Sequence, residues 1–149
     1  MAFLEFSREI SVPPNEVFVF FVPQRMSLWY GTEMNTHFEV QGGAPDFAVG
    51  QKVKITGDLG RWPVTLTAVI ASYEWERLLE WQFLDSYGVR GLQRWQLEAA
   101  AGGTRLQMRD SYRMPGISGR IIDAFFTRFA VSKRDEAWLD RLQQLAERK

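Results

Sequence analysis

The chain has 149 residues, enough for one domain with a sizeable core, and its 18 basic residues balance 18 acidic ones. This balance gives no reason to expect nucleic acid or an anionic membrane as a partner, and the lack of cysteine excludes disulfides and thiolate metal sites. The longest apolar run, residues 17–22, is too short for a transmembrane segment, and the N-terminus does not resemble a signal peptide, so we expect a cytoplasmic protein.

The first part of the chain predicts one strand followed by two short helices. Residues 3–12 alternate between apolar and polar side chains, which is typical of a half-buried strand. Two consecutive prolines end this strand. Short apolar helices are then predicted at residues 15–22 and at about residues 24–30, the first stopped by proline and the second by glycine.

Six further strands are predicted between turns that contain glycine, proline, aspartate or serine. They cover residues 34–41, 51–57, 62–73, 77–85, 89–99 and 104–114. The spacing of the turns indicates successive hairpins, because antiparallel strands can be joined by tight turns whereas parallel strands need a long crossover. The sequence therefore predicts an antiparallel sheet.

Residues 118–149 predict one long helix at the C-terminus. Its apolar side chains form two arcs about half a turn apart, one with Phe125 and Phe129 and the other with Trp138. Two interpretations remain open. In the first, the helix belongs to an ordinary core and is buried on both sides or bent near residues 130–133. In the second, its phenylalanine-rich first half covers a cavity while its second half packs on the sheet.

This element order predicts an α+β fold in which a curved antiparallel sheet of seven strands wraps the terminal helix. Several short segments resemble one known superfamily. They are the opening strand, proline turn and helix start at residues 6–18, then Trp29, Gly50, the hairpin at 102–106, and residues 110–120 before the long helix. Together they resemble the helix-grip fold of the START and birch-pollen-allergen (SRPBCC) superfamily, and within it the polyketide cyclase/dehydrase-like proteins. The resemblance covers nearly the whole chain and implies a single domain, residues 1–149, and a bacterial source.

The resemblance implies more than one function, since this superfamily hosts lipid carriers, hormone receptors, cyclases and co-chaperones. The first interpretation is that the protein binds a small hydrophobic ligand, lipid-like or aromatic and polyketide-like, in a cavity between the sheet and the helix. The second is a polyketide cyclase/dehydrase-type enzyme that acts in the same cavity. The third is a protein-interaction module without a ligand, and homodimer formation is left open.

Arg8 and Asp110 are charged residues that alternate onto the apolar faces of the first and last predicted strands. Because these strands are neighbours in the resembled fold, the two side chains could meet across the sheet. A strand irregularity would instead expose one or both of them. If they do meet, they either hold the strands together or orient a polar group of a ligand at the end of an oily cavity.

Aromatic residues make up 14% of the chain, more than a core of this size requires, so we expect several of them to line a cavity. Core packing is the alternative for each one. The predicted ligand-binding residues are Arg8, Trp29, Tyr30, Phe38, Trp62, Leu66, Trp81, Phe83, Trp95, Asp110, Tyr112, Phe125 and Phe129. In the enzyme interpretation, Asp110 and Tyr112 transfer protons and Arg8 polarises a carbonyl.

Other kinds of site have little support in the sequence. His37 is the only histidine and alternates to the polar side of its strand, which argues against a zinc site or a catalytic triad. The sequence contains no phosphate-binding loop or dinucleotide fingerprint, so we predict no cofactor and no metal and assign no catalytic residue. A strip of arginines on the outer face of the last two strands is either solvated or a docking surface. It consists of Arg90, Arg94, Arg105, Arg109 and Arg113.

Overall fold

The computed structural model describes residues 2–59, 61–116 and 128–148 of the chain. In this part of the chain, seven strands form one sheet. They are β1 (Ala2–Ile10), β2 (His37–Val40), β3 (Lys52–Leu59), β4 (Trp62–Glu74), β5 (Leu78–Asp85), β6 (Arg90–Ala100) and β7 (Gly103–Arg113). Over much of their length the strands alternate between side chains that face the core and side chains that face solvent, as β6 and β7 show most clearly.

The strands are arranged in the order β1-β7-β6-β5-β4-β3-β2, and every pair is antiparallel. Strands β2 to β7 therefore follow one another as hairpins, and β1 pairs with β7, which confirms the predicted antiparallel sheet and the predicted neighbourhood of the first and last strands. The long strand β4 shifts register between Ile70 and Ser72. Such an irregularity bends a strand, which suits a sheet that curls around a helix.

Helices flank the sheet at both ends of the chain. They are α1 (Pro14–Phe18), α2 (Pro23–Met26) and α3 (Arg128–Glu147), with single 3₁₀ turns at Thr32–Met34 and Gln41–Gly43. Helices α1 and α2 both begin with proline, which is favourable at the first helical position because its missing N–H would be unpaired there. Both are shorter than predicted. Pro23 forces Val22 into an extended conformation, and the residues between the two helices form hydrogen-bonded turns.

The C-terminal half of α3 is attached to β1 and to the residues that follow it. Glu147 accepts hydrogen bonds from the backbone N–H of Ser11 at 2.8 Å and from its hydroxyl at 2.7 Å. Gln143 donates to the backbone oxygen of Glu9 at 3.0 Å. These contacts fix the C-terminal half of the helix against β1.

Part of the predicted terminal helix lies outside the described residues, including its start at Ser118 and the side chains of the phenylalanine arc. The arc that includes Trp138 is described, and Trp138, Leu139 and Leu142 are buried. This agrees with a second half that packs on the sheet. The predicted change of the buried side near residues 130–133 stays a prediction, since one of its two arcs is not described.

Candidate functional site

A cavity of about 280 Å³ lies between the inner face of the sheet and helix α3. Its apolar wall is formed by Leu66, Phe83, Val89, Met114 and Val131. Polar groups come from Tyr30, Gln93, Asp110, Tyr112 and Arg134. A smaller cavity of about 80 Å³ adjoins it and shares Tyr30, Leu66, Asp85 and Arg134 with it. The arrangement is the one expected of a small-molecule site, in which apolar walls supply contact area and a few polar groups set orientation.

The alternation of β6 and β7 places the polar groups of the cavity. Asp110 and Tyr112 are two residues apart on β7, so both face inward together with the apolar side chains of that strand. Gln93 faces inward on β6, and its backbone pairs directly with that of Asp110. A carboxyl and an amide therefore lie side by side on neighbouring strands, covered by α3.

Helix α3 brings two more charged side chains to Asp110. A terminal nitrogen of Arg134 lies 3.6 Å from Oδ2 of Asp110 and 3.3 Å from Oδ1 of Asp135. Asp110 is 1% exposed and Asp135 is 0% exposed. One arginine thus faces two buried carboxyl groups, and burial of two negative charges beside a single positive one is unfavourable.

A shared proton resolves this imbalance. Burial, followed by a hydrogen bond with Asp110, raises the pKa of Asp135 to about 9. Two ionised carboxylates cannot hydrogen-bond to each other, whereas a neutral Asp135 can donate its O–H to Asp110. At neutral pH, Asp135 is therefore neutral and carries the proton between the two carboxyl groups, beside a positive Arg134.

Tyr30, Trp81 and Gln93 form a second polar network beside the first. The Tyr30 hydroxyl donates to Oε1 of Gln93 at 2.7 Å, and the Trp81 indole N–H donates to the same oxygen at 2.9 Å. Because an indole N–H can only donate, it fixes which end of the Gln93 amide is the oxygen. Burial raises the pKa of Tyr30 far above its usual range, so the hydroxyl keeps its proton.

Arg134 is held from its other side by Trp138. The guanidinium carbon lies 4.5 Å from the centre of the Trp138 ring, within the range of a cation–π contact. The indole N–H of Trp138 in turn donates to both carboxylate oxygens of Glu33 at 3.0 Å. These contacts orient Arg134 towards the cavity.

The structure brings some of the predicted ligand-binding residues to the cavity wall and leaves others elsewhere. The predicted residues that line it are Tyr30, Leu66, Phe83, Asp110 and Tyr112. Four others lie in a packed cluster of rings that does not border it, namely Trp29, Phe38, Trp81 and Trp95. Trp62 is 65% exposed at the tip of the β3–β4 hairpin, where it pairs with Leu59. Phe125 and the side chain of Phe129 lie outside the described residues.

The interpretation in which Arg8 meets Asp110 is wrong. Arg8 pairs in register with Leu106, whereas Asp110 pairs with Leu4, so the two side chains lie four residues apart along the strands. That offset is about 13 Å at 3.3 Å per residue. Arg8 instead forms an ion pair with Asp140 at 3.2 Å, which also removes it from the carbonyl-polarising role in the cavity.

Sequence reasoning missed Arg134 and Asp135, although the sequence contained a signal for both. Arg134 lies three residues after Val131 and four before Trp138, and Asp135 lies four after Val131 and three before Trp138. Both spacings place a residue on the same face of a helix. Charged residues within an apolar helical face indicate a buried polar cluster.

The remaining sequence expectations concern the outer face. His37 is exposed, as predicted. Three arginines of the outer strip form ion pairs: Arg94 with Glu80, Arg109 with Glu5, and Arg105 with two glutamates. A larger, open depression of about 460 Å³ lies among these charged side chains, and their pairing favours a solvated surface over a docking strip.

Two further observations apply only to the described residues. No group of three His, Asp or Glu side chains among them is placed to hold a metal ion. None of their helices is both long and apolar enough to cross a membrane.

Comparisons with known proteins agree with the fold. The family model "Polyketide cyclase / dehydrase and lipid transport" matches residues 1–147. Protein MLL2253 from Mesorhizobium loti has a TM-score of 0.77 and 19% identity, with 99% of this chain and 98% of that one covered. Protein CV1439 from Chromobacterium violaceum has a TM-score of 0.75 and 16% identity, with 100% of both chains covered.

A third similar structure is DynU16, a protein in the dynemicin biosynthetic locus. Its TM-score is 0.71 at 19% identity, and the match covers 97% of this chain but 47% of DynU16. At such identities, the three likenesses show a common fold and nothing further. No curated protein sequence gives a significant match.

Proposed function

Because the chain belongs to the polyketide cyclase/dehydrase and lipid transport family, we propose that it binds a small hydrophobic ligand in the cavity beneath helix α3. The observation that carries this proposal is the cavity itself, with its apolar wall and its buried polar groups on one side. Its volume of about 280 Å³ is close to the lower end of the range for small-molecule sites, which starts at roughly 300 Å³. A compact ligand of two or three rings suits this volume better than a long lipid chain.

The affinity would come mainly from apolar contact. Each square ångström of apolar ligand surface removed from water contributes about 25 cal/mol. Phe83 and Leu66 offer such surface from the sheet, and Val131 offers it from the helix. The polar groups on β6 and β7 would set the orientation of the ligand.

Filling the cavity tests the proposal. Val131 is half-buried on α3 and borders the cavity, so Val131→Trp would place an indole in the space that the ligand needs. We expect this variant to bind the neutral fluorescent probe N-phenyl-1-naphthylamine at least tenfold more weakly than the original protein does. Fluorescence titration measures the dissociation constants.

Leu84→Trp is the matched control, because Leu84 is 47% exposed on the outer face of β5. It adds a similar ring without touching the cavity, and we expect it to bind the probe as the unchanged protein does. Equal binding by the unchanged protein and Val131→Trp would contradict the proposal. A ligand retained during purification and detected by native mass spectrometry would support it.

A cyclase/dehydrase-type enzyme is the second candidate, and the carboxyl pair favours it. Asp110 borders the cavity beside a proton-bearing Asp135, an arrangement that could pass a proton to or from a bound molecule. Tyr112 also borders the cavity, as the enzyme interpretation requires. An enzyme would lose turnover but keep apolar binding in Asp110→Asn, whereas a carrier has no turnover to lose. Cytoplasmic location stays a prediction from the sequence, a bacterial source stays an implication of the resemblance, and homodimer formation stays open.

A further inference from the structure

The carboxyl group of Asp110 has unused hydrogen-bonding capacity. Apart from a protonated Asp135, no donor among the described residues forms a hydrogen bond with either of its oxygens, although the side chain is 1% exposed. Its contact with Arg134 is 3.6 Å, longer than a hydrogen bond. A neutral Asp135 supplies one donor, which leaves at least one oxygen of Asp110 without a partner.

An unpaired buried acceptor is costly, and more so when it is ionised. Buried polar groups in proteins are nearly always hydrogen-bonded, so an exception at a cavity wall indicates a partner that comes from outside the chain. Asp110 borders the apolar cavity, and a molecule bound there would lie next to its free oxygen. The missing partner must be a hydrogen-bond donor.

Charge decides which kind of donor it is. The guanidinium of Arg134 lies next to Asp110 and disfavours a cationic ligand such as an amine. A ligand carboxylate would bring another negative charge to two buried acids, which is also unfavourable. A neutral hydroxyl adds a donor without adding net charge to the cluster.

We propose that the cavity selects hydrophobic ring compounds that carry a neutral hydroxyl group, and that Asp110 accepts the hydrogen bond from this hydroxyl. The proposal rests on the proposed function and names the chemical class of its ligand. Asp110 is then the residue that determines specificity, whereas Leu66, Phe83 and Val131 contribute apolar contact without distinguishing a hydroxyl from a methyl group.

Three naphthalenes that differ in one substituent test the proposal by displacement of N-phenyl-1-naphthylamine at pH 7. They are 2-naphthol, 2-methylnaphthalene and 2-naphthoate. We expect 2-naphthol to bind at least tenfold more tightly than 2-methylnaphthalene, although the methyl compound is the more apolar. We expect 2-naphthoate to bind most weakly.

The variant Asp110→Leu removes the acceptor and also the carboxyl group that favours the neutral form of Asp135, so that Asp135 can ionise and pair with Arg134. We expect the preference for 2-naphthol over 2-methylnaphthalene to fall below threefold. Asp140→Leu is the matched control, because Asp140 is exposed and pairs with Arg8 on β1. It should keep the full preference.

The outcomes separate this inference from the proposed function. If the unchanged protein binds 2-naphthol and 2-methylnaphthalene equally well, the inference is overturned while hydrophobic binding stands. If it binds the naphthoate best, the assigned charge state of the cluster is wrong and the inference fails with it. If no naphthalene and no probe binds, both proposals fail. The ligand comparison needs no variant, so it decides the matter even where Asp110→Leu does not fold.

Discussion

The two ends of the protein interior are built differently. At one end, the ring centroid of Trp95 lies 5.0 Å from that of Trp81 and 5.8 Å from that of Trp29, and all three side chains are fully buried. Most of these rings meet edge to face, a favourable geometry for aromatic pairs. At the other end, Asp110 and Arg134 border a cavity of about 280 Å³. The first end is solid and the second is hollow.

In the described interior, the aromatic residues mainly fill space, whereas the buried charged residues border the space that is left open. Rings can interlock to the density of a crystal. Buried charges need partners at set distances, and apolar side chains cannot replace these partners. Tyr30 belongs to both ends, since its ring contacts Trp29 and Trp95 while its hydroxyl reaches Gln93.

The largest effect is expected in the packed end. Trp29→Ala removes a fully buried indole, its ring contacts and its hydrogen bond to the backbone oxygen of Phe20. Large-to-small changes of this kind cost about 3–5 kcal/mol in the free energy of unfolding. Equilibrium urea unfolding measures the loss. Val131→Ala at the cavity wall is the comparison variant, and we expect it to cost less than about 1.5 kcal/mol. Equal losses in the two variants would mean that the two ends are packed alike.

The second effect concerns the charged end and its dependence on pH. The pKa of Asp135 is raised to about 9 in the folded protein, whereas an unfolded aspartate titrates near 4. Between these values the folded protein holds a proton that the unfolded chain has released, so stability falls as the pH rises. One proton gives a slope of up to about 1.4 kcal/mol per pH unit. The groups that face Asp135 are Asp110, Arg134 and Tyr30. Arg134 stays charged and Tyr30 stays neutral throughout this pH range, because the pKa of each is raised.

Asp135→Asn should remove most of this slope, since an amide does not titrate. Urea unfolding at pH 6, 7 and 8 measures the slope. Over these two pH units, the free energy of unfolding of the original protein should fall by up to about 2.7 kcal/mol. Asp140→Asn is the control and should keep the slope, because the carboxyl group of Asp140 is exposed. A slope that persists in Asp135→Asn would assign the proton to another group. Glu147 does not interfere, because hydrogen bonds from Ser11 lower its pKa and confine its effect to more acidic solution.

The sequence was sufficient to predict the fold and the direction of most side chains. Alternation correctly placed Asp110 inside and His37 outside, because the period of a strand is fixed at two residues. Alternation predicts which face of the sheet a side chain lies on, but it does not predict the register between neighbouring strands. The register that pairs Arg8 with Leu106 depends on how the turns and neighbouring strands fit together, so the partner of Arg8 could not be predicted.

The position of the cavity could not be predicted from the sequence either, because it also depends on contacts between distant parts of the chain. Composition indicates how many rings there are, but it does not distinguish rings that fill a core from rings that line a cavity. Trp29, Trp81 and Trp95 meet through contacts between distant parts of the chain, and Trp62 lies exposed at a hairpin tip. The spacing of Arg134 and Asp135, which places both on the apolar face of the helix, is the feature of the sequence that indicates the charged cluster.

The smallest effect is expected at the ion pair of Arg8 with Asp140, which contrasts with the buried pair of Arg134 with Asp110. Arg8 pairs with Asp140 at 3.2 Å, but the Asp140 side chain is 62% exposed. Exposed ion pairs contribute about 0.2–1 kcal/mol, because water screens them and two long side chains must be ordered to form them. We therefore expect Arg8→Ala to lower the free energy of unfolding by less than about 1 kcal/mol and to leave probe binding unchanged.

The matched variant is Arg134→Ala, which leaves Asp110 buried without its cation. Removal of one partner from a buried pair costs about 3–5 kcal/mol, and the 31% exposure of the Arg134 side chain places the expected loss towards the lower end of that range. Urea unfolding of both variants, with probe titration beside it, measures the difference. If Arg8→Ala destabilised the protein as much as Arg134→Ala, the edge of the sheet would be as dependent on charge pairing as the cavity is. The division of the interior into a solid end and a charged, hollow end would then be wrong.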